Sequence, residues 1–245
     1  MRLQKLHAGP DSRGNNVQDE TVEMTRSNAG RKIFMAITGG IMILFVAAHL
    51  LGNISFFSGP DGINAYAKMI DSLGPFRWVI RVILAAVLGL HMVFGIQLTL
   101  ENRTSRAQKY TVNKHLSATA AGKSMIWTGL LIALYLGYHL LHFTVQVITP
   151  EFSAVRHLDA LGRPDVFSMV LHSFRNTVVS VVYGMAMAAV GLHLSHGLQS
   201  MVQTLGLNNE RTLPVMVKIG AAAALLLFLG YAAIPAGIIS GLTGR

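Results

Sequence analysis

The chain contains no cysteine, and this absence excludes several kinds of chemistry. Disulfides, thiolate-ligated haem, covalent haem attachment through C-x-x-C-H and iron–sulfur clusters all require cysteine side chains. If the protein works together with an iron–sulfur cluster, a partner chain must therefore hold that cluster.

Charged residues are also scarce. They make up 13% of the 245 residues, whereas 52% are hydrophobic and the mean hydropathy is +0.48. A soluble domain has about a quarter of its residues charged, so the composition indicates a polytopic membrane protein. Crossing about 30 Å of hydrocarbon takes roughly 20 apolar residues per helix. Five segments qualify, namely residues 33–52, 76–100, 124–148, 174–203 and 213–240.

These segments predict an all-α fold in which residues 31–245 form a five-helix transmembrane bundle. The first 28 residues have no apolar stretch of the kind found in signal peptides, so we expect no cleavable signal. Residues 1–30 are expected to form a loosely ordered cytoplasmic arm. The connection over residues 53–75 contains turn signals and a short helical segment, and it predicts an interfacial cap. The second outer connection, residues 149–173, is expected to be a loop.

The net charge of +9 could indicate a nucleic-acid partner, but the positions of the cations argue against one. Most of the Lys and Arg residues fall in the N-terminal arm and in the connections on the same side of the predicted bundle. By the positive-inside rule, we expect a cytoplasmic (inner) membrane protein with a cytoplasmic N-terminus and a C-terminus on the outer side. Contact with anionic lipid would explain the same pattern.

Histidines inside four of the five spans are the main chemical anomaly. His49, His91, His139 and His193 each lie in an apolar segment. An imidazole in hydrocarbon is costly unless its ring nitrogens are bound, so such a residue indicates a functional site. The fifth span has no histidine and is expected to be scaffold, and we find no internal repeat in the chain.

Depth in the membrane predicts how these histidines pair. From the helical rise per residue, His49 and His139 both lie about 25 Å from the inner border. His91 and His193 lie about 21 and 27 Å from the outer border, in the inner half. Two opposed imidazoles at one depth are what a b-type haem needs. The sequence therefore predicts a bundle that encloses two bis-histidine haems b.

Alternatives remain open at this point. His142 and His196 follow His139 and His193 by three residues and share their helix faces, so spacing alone does not identify the ligands. The histidines could also satisfy one another in a haem-free anchor or transporter. Zinc or copper is less favoured because no carboxylate lies inside any span, and that absence also counts against a proton pump.

Other residues are candidates for cofactor binding. Gly39 and Gly40 would allow either a second helix or a flat macrocycle to approach the backbone. Arg81 could extend its charge to the interface or pair with a haem propionate. The full set of these candidates is Arg31, Gly39, Gly40, Arg81, Gly95, His142, Gly191 and His196.

Four motifs resemble one known family. HLLGN at 49–53, HMVFG at 91–95, Thr128-Gly129 followed ten residues later by His139, and HLSHG at 193–197 are similar to the cytochrome b subunit of succinate:quinone oxidoreductases. The resemblance is to the single-chain, five-helix, dihaem b558 type and covers about residues 30–205. It implies haem ligation by His49, His91, His139 and His193, with the first helix paired to the third and the second to the fourth.

The resemblance also implies partners. They are an iron–sulfur subunit docked on the inner face and an FAD-containing flavoprotein subunit that interconverts succinate and fumarate. The enzyme's membrane subunit would then carry electrons between the iron–sulfur subunit and a quinone, usually menaquinone. Candidate quinone-binding residues near the outer level are Asn64, Tyr66, Lys68 and Gln146.

One departure from the family concerns proton movement. Some dihaem fumarate reductases resemble this chain but have a glutamate near the fourth-helix ligand, whereas this chain has Gly191 two residues before His193 and no acid in that span. The compensating proton path is therefore not expected here. A cytochrome b of another oxidoreductase, such as a hydrogenase or formate dehydrogenase, is the nearest alternative function.

Overall fold

The computed structural model describes residues 27–104, 120–207 and 209–243, and in this part of the chain the protein is all-α. Its helices are α1 (Asn28–Ile54), α2 (Gly59–Ser72), α3 (Phe76–Thr104), α4 (Ala120–His139), α5 (Val166–Arg175), α6 (Thr177–Thr204) and α7 (Leu213–Ile239). A π-helical turn, Leu140–Thr144, continues α4. The predicted arm up to residue 26 and the basic connection over 105–119 lie outside the described residues.

Five of these helices are long and apolar enough to cross a membrane, which confirms the predicted five-helix membrane fold. They are α1, α3, α4, α6 and α7, and their most apolar stretches have mean hydropathies between 1.5 and 2.3. Large apolar side chains on them are exposed, among them Leu44, Val82, Leu134 and Leu226. Such faces suit hydrocarbon, where a helix satisfies its own backbone hydrogen bonds.

Local signals fix where the spans begin. The side chain of Ser27 accepts a hydrogen bond from the backbone of Gly30 and caps α1. Asn176 accepts from the backbone of Val178 and Val179 and caps α6. These side chains satisfy backbone N–H groups that have no partner in the first turn of a helix.

The four histidine-bearing helices share one interior. Helix α1 packs against α3 and α6, and α4 packs against α6. Helix α7, which has no histidine, lies against α6 and α1 on the outside of this group. Helix α7, the fifth span, therefore packs against the others as scaffold, as its lack of histidine predicted.

A two-helix cap covers the end of the bundle at which α1 ends and α3 begins. We name this end the outer end, and the opposite one the inner end, after the predicted topology. Helix α2 confirms the helical segment predicted in the first outer connection and packs against α5. The second outer connection was expected to be a loop as far as residue 173, and this was wrong, because α5 forms inside it. Met169, Val170 and Phe174 are buried on one face of α5, so a short amphipathic helix closes the end of the core.

Asn64 joins the two halves of the cap. Its side chain is fully buried. Nδ2 donates to Asp159 Oδ2 at 3.2 Å and to Asp165 Oδ1 at 3.3 Å, and Oδ1 accepts from the backbone of Phe167 at 2.9 Å. With both its donor and its acceptor atoms engaged, this amide is a structural cross-link between α2 and α5.

An ion pair network holds the same cap from the solvent side. Arg163 donates to Asp159 Oδ2 and to Asp61 Oδ1, each at 2.7 Å. Burial acts to raise the pKa of Asp159, but hydrogen bonds from Arg163, Asn64 and the backbone of Leu161 outweigh it and lower that pKa to about 2. Hydrogen bonds to Asp61, which has the larger effect, and to Asp159 raise the pKa of Arg163.

Candidate bis-histidine sites

The structure brings the four span histidines together in two pairs. The rings of His49 and His139 have centroids 6.1 Å apart and planes at 83°. The rings of His91 and His193 have centroids 6.4 Å apart and planes at 65°. These are the two pairs that depth along the helices predicts. His49 and His139, from α1 and α4, are named the outer pair, and His91 and His193, from α3 and α6, the inner pair, after their predicted depths.

Both separations fit an iron atom between the rings. A metal–imidazole bond is about 2 Å long and the nitrogen lies about 1 Å from its ring centroid, so two rings on one metal have centroids about 6 Å apart. No cluster of three or more His, Asp or Glu side chains suited to a metal occurs in the described residues. A haem needs only two protein ligands, because the porphyrin supplies the others.

In the inner pair, Thr38 fixes the tautomer of His91. The Thr38 hydroxyl lies 3.1 Å from Nδ1 of His91 and donates to the backbone carbonyl of Phe34 at 2.7 Å. A hydroxyl has a single hydrogen, so with that hydrogen on the carbonyl the imidazole must donate from Nδ1. Nε2 of His91 is then unprotonated and able to bind a metal.

Thr128 has the same relation to His193. Its hydroxyl lies 3.1 Å from Nδ1 of His193 and donates to the carbonyls of Ser124 and Met125, each at 3.1 Å. The inner site therefore has two imidazoles of one tautomer, each held by a threonine from a neighbouring helix. Neither threonine was singled out as a partner of a histidine by the sequence analysis.

A glycine follows each threonine in the sequence and leaves room for the histidine ring that the threonine contacts. A Cβ on Gly39 would lie 3.3 Å from Cε1 of His91, and a Cβ on Gly129 would lie 3.4 Å from Cε1 of His193. These distances are at or below ordinary van der Waals contact. Glycine thus lets each imidazole lie directly against the backbone of the neighbouring helix.

Helices α1 and α4 share one spacing of threonine, glycine and histidine. Thr38-Gly39 is followed by His49 after nine further residues in α1, and Thr128-Gly129 is followed by His139 at the same spacing in α4. In both helices the threonine serves the inner pair and the histidine belongs to the outer pair. The eleven-residue interval corresponds to about 16 Å of helix, which separates the two levels.

The outer pair is surrounded by aromatic residues. The Tyr183 hydroxyl lies 3.5 Å from Nδ1 of His139 and 3.1 Å from Nδ1 of His142. Phe45 stacks on His49 at 5.5 Å, and Tyr231 of α7 lies 6.2 Å from it. Helix α7 thus contributes a ring to this level, which its lack of histidine did not indicate.

The structure distinguishes the two histidines of α4. His139 contacts His49, whereas His142 lies within the π-helical turn and is 1% exposed. His142 binds Tyr183 through Nδ1, and its buried Nε2 has no hydrogen-bond partner among the described residues. In HLSHG, the ring that meets His91 is that of His193 rather than that of His196.

The two candidate arginines contact protein groups. Arg31 forms an ion pair with Glu101, which joins the inner ends of α1 and α3. The guanidinium of Arg81 lies over the ring of Trp78 at 4.8 Å. Trp78 and Arg81 are both exposed, as expected for residues that anchor a span at the interface.

The remaining candidate glycines lie at helix–helix contacts. The atoms nearest to an added Cβ are Met201 Sδ for Gly40, Met35 Cε for Gly95 and the Ala224 carbonyl for Gly191, at 3.2, 3.5 and 3.7 Å. Small residues commonly allow helices to approach at such places. Gly39 is therefore the one of the four that lies against a histidine of the inner pair.

The four candidate quinone residues differ in their surroundings. Asn64 is engaged within the cap, and the Tyr66 ring packs against Gly52. Lys68 is exposed. Gln146, at a φ of 61°, lines a cavity of about 460 Å³ at the outer end, and its Oε1 accepts from Ser153 Oγ at 2.6 Å.

No protein-family model, curated protein or solved structure matches this chain. Its function is therefore inferred from the arrangement of its own side chains.

Proposed function

We propose that the chain is a membrane cytochrome b subunit that binds two haems b. His49 and His139 would bind the outer haem, and His91 and His193 the inner one. Bound haem supplies one-electron oxidation and reduction. The chain would supply the iron ligands and the apolar surroundings that exclude water from both levels.

The two threonine–histidine contacts of the inner pair are the observation that carries this proposal. With the threonine hydrogens on backbone carbonyls, each ring donates from Nδ1 to a threonine oxygen and has no proton on Nε2. Two such neutral rings cannot hydrogen-bond to each other, which counts against histidines that merely satisfy one another. A metal between them would use both lone pairs, and the centroid separation of 6.4 Å suits one.

The arrangement of the two sites supports a role in electron transfer across the membrane. Along α1 and α4, the histidines of the outer pair lie about 16 Å from the threonines that contact the inner pair. The centroid separation of the outer pair, 6.1 Å, again suits a single metal. Two sites of this kind at different depths would carry electrons between the inner and outer halves of the bilayer.

Within this class, we propose the membrane subunit of a succinate:quinone oxidoreductase. The support is the resemblance of the four histidine motifs and the excess of cations expected on the cytoplasmic side. The chain has no cysteine, so iron–sulfur clusters would belong to a partner subunit. The resemblance implies that FAD and the dicarboxylate chemistry would also belong to a partner subunit. The chain would exchange electrons between the iron–sulfur subunit and menaquinone in the cytoplasmic membrane, with its N-terminus inside.

The test is purification of the tagged chain with its partners from native membranes, followed by haem extraction and a reduced-minus-oxidised spectrum. We expect non-covalent haem b, together with a flavoprotein and an iron–sulfur protein active on succinate or fumarate. Co-purification of hydrogenase or formate dehydrogenase subunits would refute the enzyme class and keep the cytochrome. A preparation without porphyrin would refute the cytochrome itself.

A further inference from the structure

Tyr183 lies at the centre of a hydrogen-bond network beside the outer pair. Its hydroxyl is within reach of Nδ1 of both His139 and His142, at 3.5 and 3.1 Å. The Tyr183 side chain is 5% exposed. The hydrogen-bond network therefore lies in a buried, apolar part of the bundle, where hydrogen bonds are stronger than in water.

The proton positions in this hydrogen-bond network follow from the role of His139 as an iron ligand. This step rests on the proposed function, in which His139 binds iron through Nε2. A neutral imidazole bound in that way has its proton on Nδ1 and donates it to the Tyr183 oxygen. The single Tyr183 hydrogen is then directed to the nearer acceptor, Nδ1 of His142.

We propose that Tyr183 is the positioning residue of the outer haem ligand His139, and that His142 anchors Tyr183. Tyr183 would do for His139 what Thr128 does for His193, from a different helix and with a different hydroxyl. The phenol accepts the Nδ1–H of His139, fixes its tautomer and increases its basicity toward iron. His142 acts through Tyr183 and is not itself a ligand.

The packing around Tyr183 supports this role. Tyr135 and Phe174 contact its ring edge-to-face, with centroids 5.2 and 5.0 Å away and planes at 86° and 84°. His142 stacks on Phe143 at 4.2 Å. Aromatic contacts from two sides restrain the ring, so the hydroxyl is held in place and does not have to be ordered by the ligand.

The backbone of α4 is adapted at the same place. The π-helical turn Leu140–Thr144 begins directly after His139 and contains His142. Here the turn accompanies two histidines whose Nδ1 atoms both reach one hydroxyl on α6.

The experiment is a redox titration of Tyr183→Phe, with the haem retained at the inner level as the internal reference. Loss of the acceptor makes His139 a weaker electron donor to iron, so the midpoint potential of the outer haem should rise and that of the inner haem should not change. His142→Leu should raise the outer potential by a smaller amount, because it only weakens the Tyr183 oxygen as an acceptor. Tyr135→Phe is the matched control and should move neither potential.

The outcomes separate this inference from the proposed function. If the protein binds two haems and Tyr183→Phe leaves both potentials unchanged, Tyr183 is only a core residue and the inference is refuted. Equal shifts in both haems, or a shift in Tyr135→Phe as large as in Tyr183→Phe, would refute it too. If Tyr183→Phe does not assemble, His142→Leu decides alone, and an unchanged outer potential overturns the inference. Absence of haem from the wild-type protein refutes the proposed function instead.

Discussion

Nδ1 of His91 lies 3.1 Å from the hydroxyl of Thr38, and this contact joins α3 to α1 at the level of the inner pair. The Thr128–His193 contact has the same atoms and the same distance on α4 and α6. The inner site is thus built from two equivalent halves. The proposed ligands receive the kind of support from a neighbouring residue that usually orients a metal-bound histidine.

Removal of either threonine hydroxyl should weaken the inner haem selectively. Thr38→Val and Thr128→Val keep the side-chain shape and take away the acceptor for Nδ1. Loss of such a partner typically costs about 10–100-fold in metal affinity. The measurement is the rate of haem transfer from the detergent-solubilised protein to an acceptor apoprotein, with the two haems separated by their spectra.

Thr99→Val is the matched control for these variants. Its hydroxyl donates to the carbonyl of Gly95 at 2.7 Å, within α3, and has no histidine partner in the part of the chain that the structure describes. Haem retention should equal that of the wild type. Equal loss in Thr99→Val, or no loss in Thr38→Val and Thr128→Val, would contradict the role given to the threonines.

Side chains at the two glycines should displace the inner ligands. Valine at Gly39 or Gly129 puts methyl groups beyond a Cβ that already lies 3.3 or 3.4 Å from the histidine ring. We expect the inner haem to be lost or sub-stoichiometric and the outer haem to remain, as measured by haem content and redox titration. Gly89→Val, where nothing lies within 4 Å of the added Cβ, should keep both haems. An intact inner haem in Gly39→Val would show that the ring has more room than the contacts imply.

Single histidine replacements distinguish the neighbours in HLSHG. His193→Ala should remove the inner haem and spare the outer one, because the His193 ring is the one that meets His91. His196→Ala should keep both. The readout is the number of haems per chain, and the opposite pattern would make His196 the ligand.

The sequence was sufficient for the fold and for the pairing of histidines, for identifiable reasons. Long apolar segments can only be spans, and helical rise converts positions such as His49 and His139 into depths. The partners of those rings could not be predicted in the same way. Thr38 and Tyr183 are ordinary residues in their helices, and only the rotation of neighbouring helices brings their hydroxyls to Nδ1 atoms.

Two signals in the sequence were missed. The shared Thr-Gly-x9-His spacing was visible in α1 and α4, but a repeat of two short motifs is easily overlooked in apolar segments. The apolar periodicity of α5 was also present, and the segment was instead expected to be loop. Asn64 was proposed to bind quinone because it is a polar residue near the outer level. In the structure its amide nitrogen and oxygen form hydrogen bonds inside the cap, which the sequence did not indicate.

The outer cap should lose stability in acid because of Asp159. Its folded pKa, about 2, lies below the ordinary value of 3.8. A depressed carboxyl pKa stabilises the folded state above the ordinary value, and this stabilisation is lost as pH falls from about 4 to about 2. Thermal unfolding in detergent at several pH values should show this decline, and Asp159→Asn should flatten it.

Asp71→Asn is the control for the acid effect. Asp71 forms an ion pair with Arg77 at the surface, with 43% of its side chain exposed, and such pairs contribute about 0–1 kcal/mol. The acid decline should persist in this variant. If Asp159→Asn retained the full decline, the network around Arg163 would not be its source.

The most direct test of the account is the haem content of the purified wild-type chain, measured by pyridine haemochrome against protein mass. The account predicts two haems b per chain, both extractable without cleavage of a covalent bond. It further predicts that two midpoint potentials are needed to fit the redox titration. A colourless preparation, with no porphyrin after gentle extraction of haem-replete membranes, would contradict it.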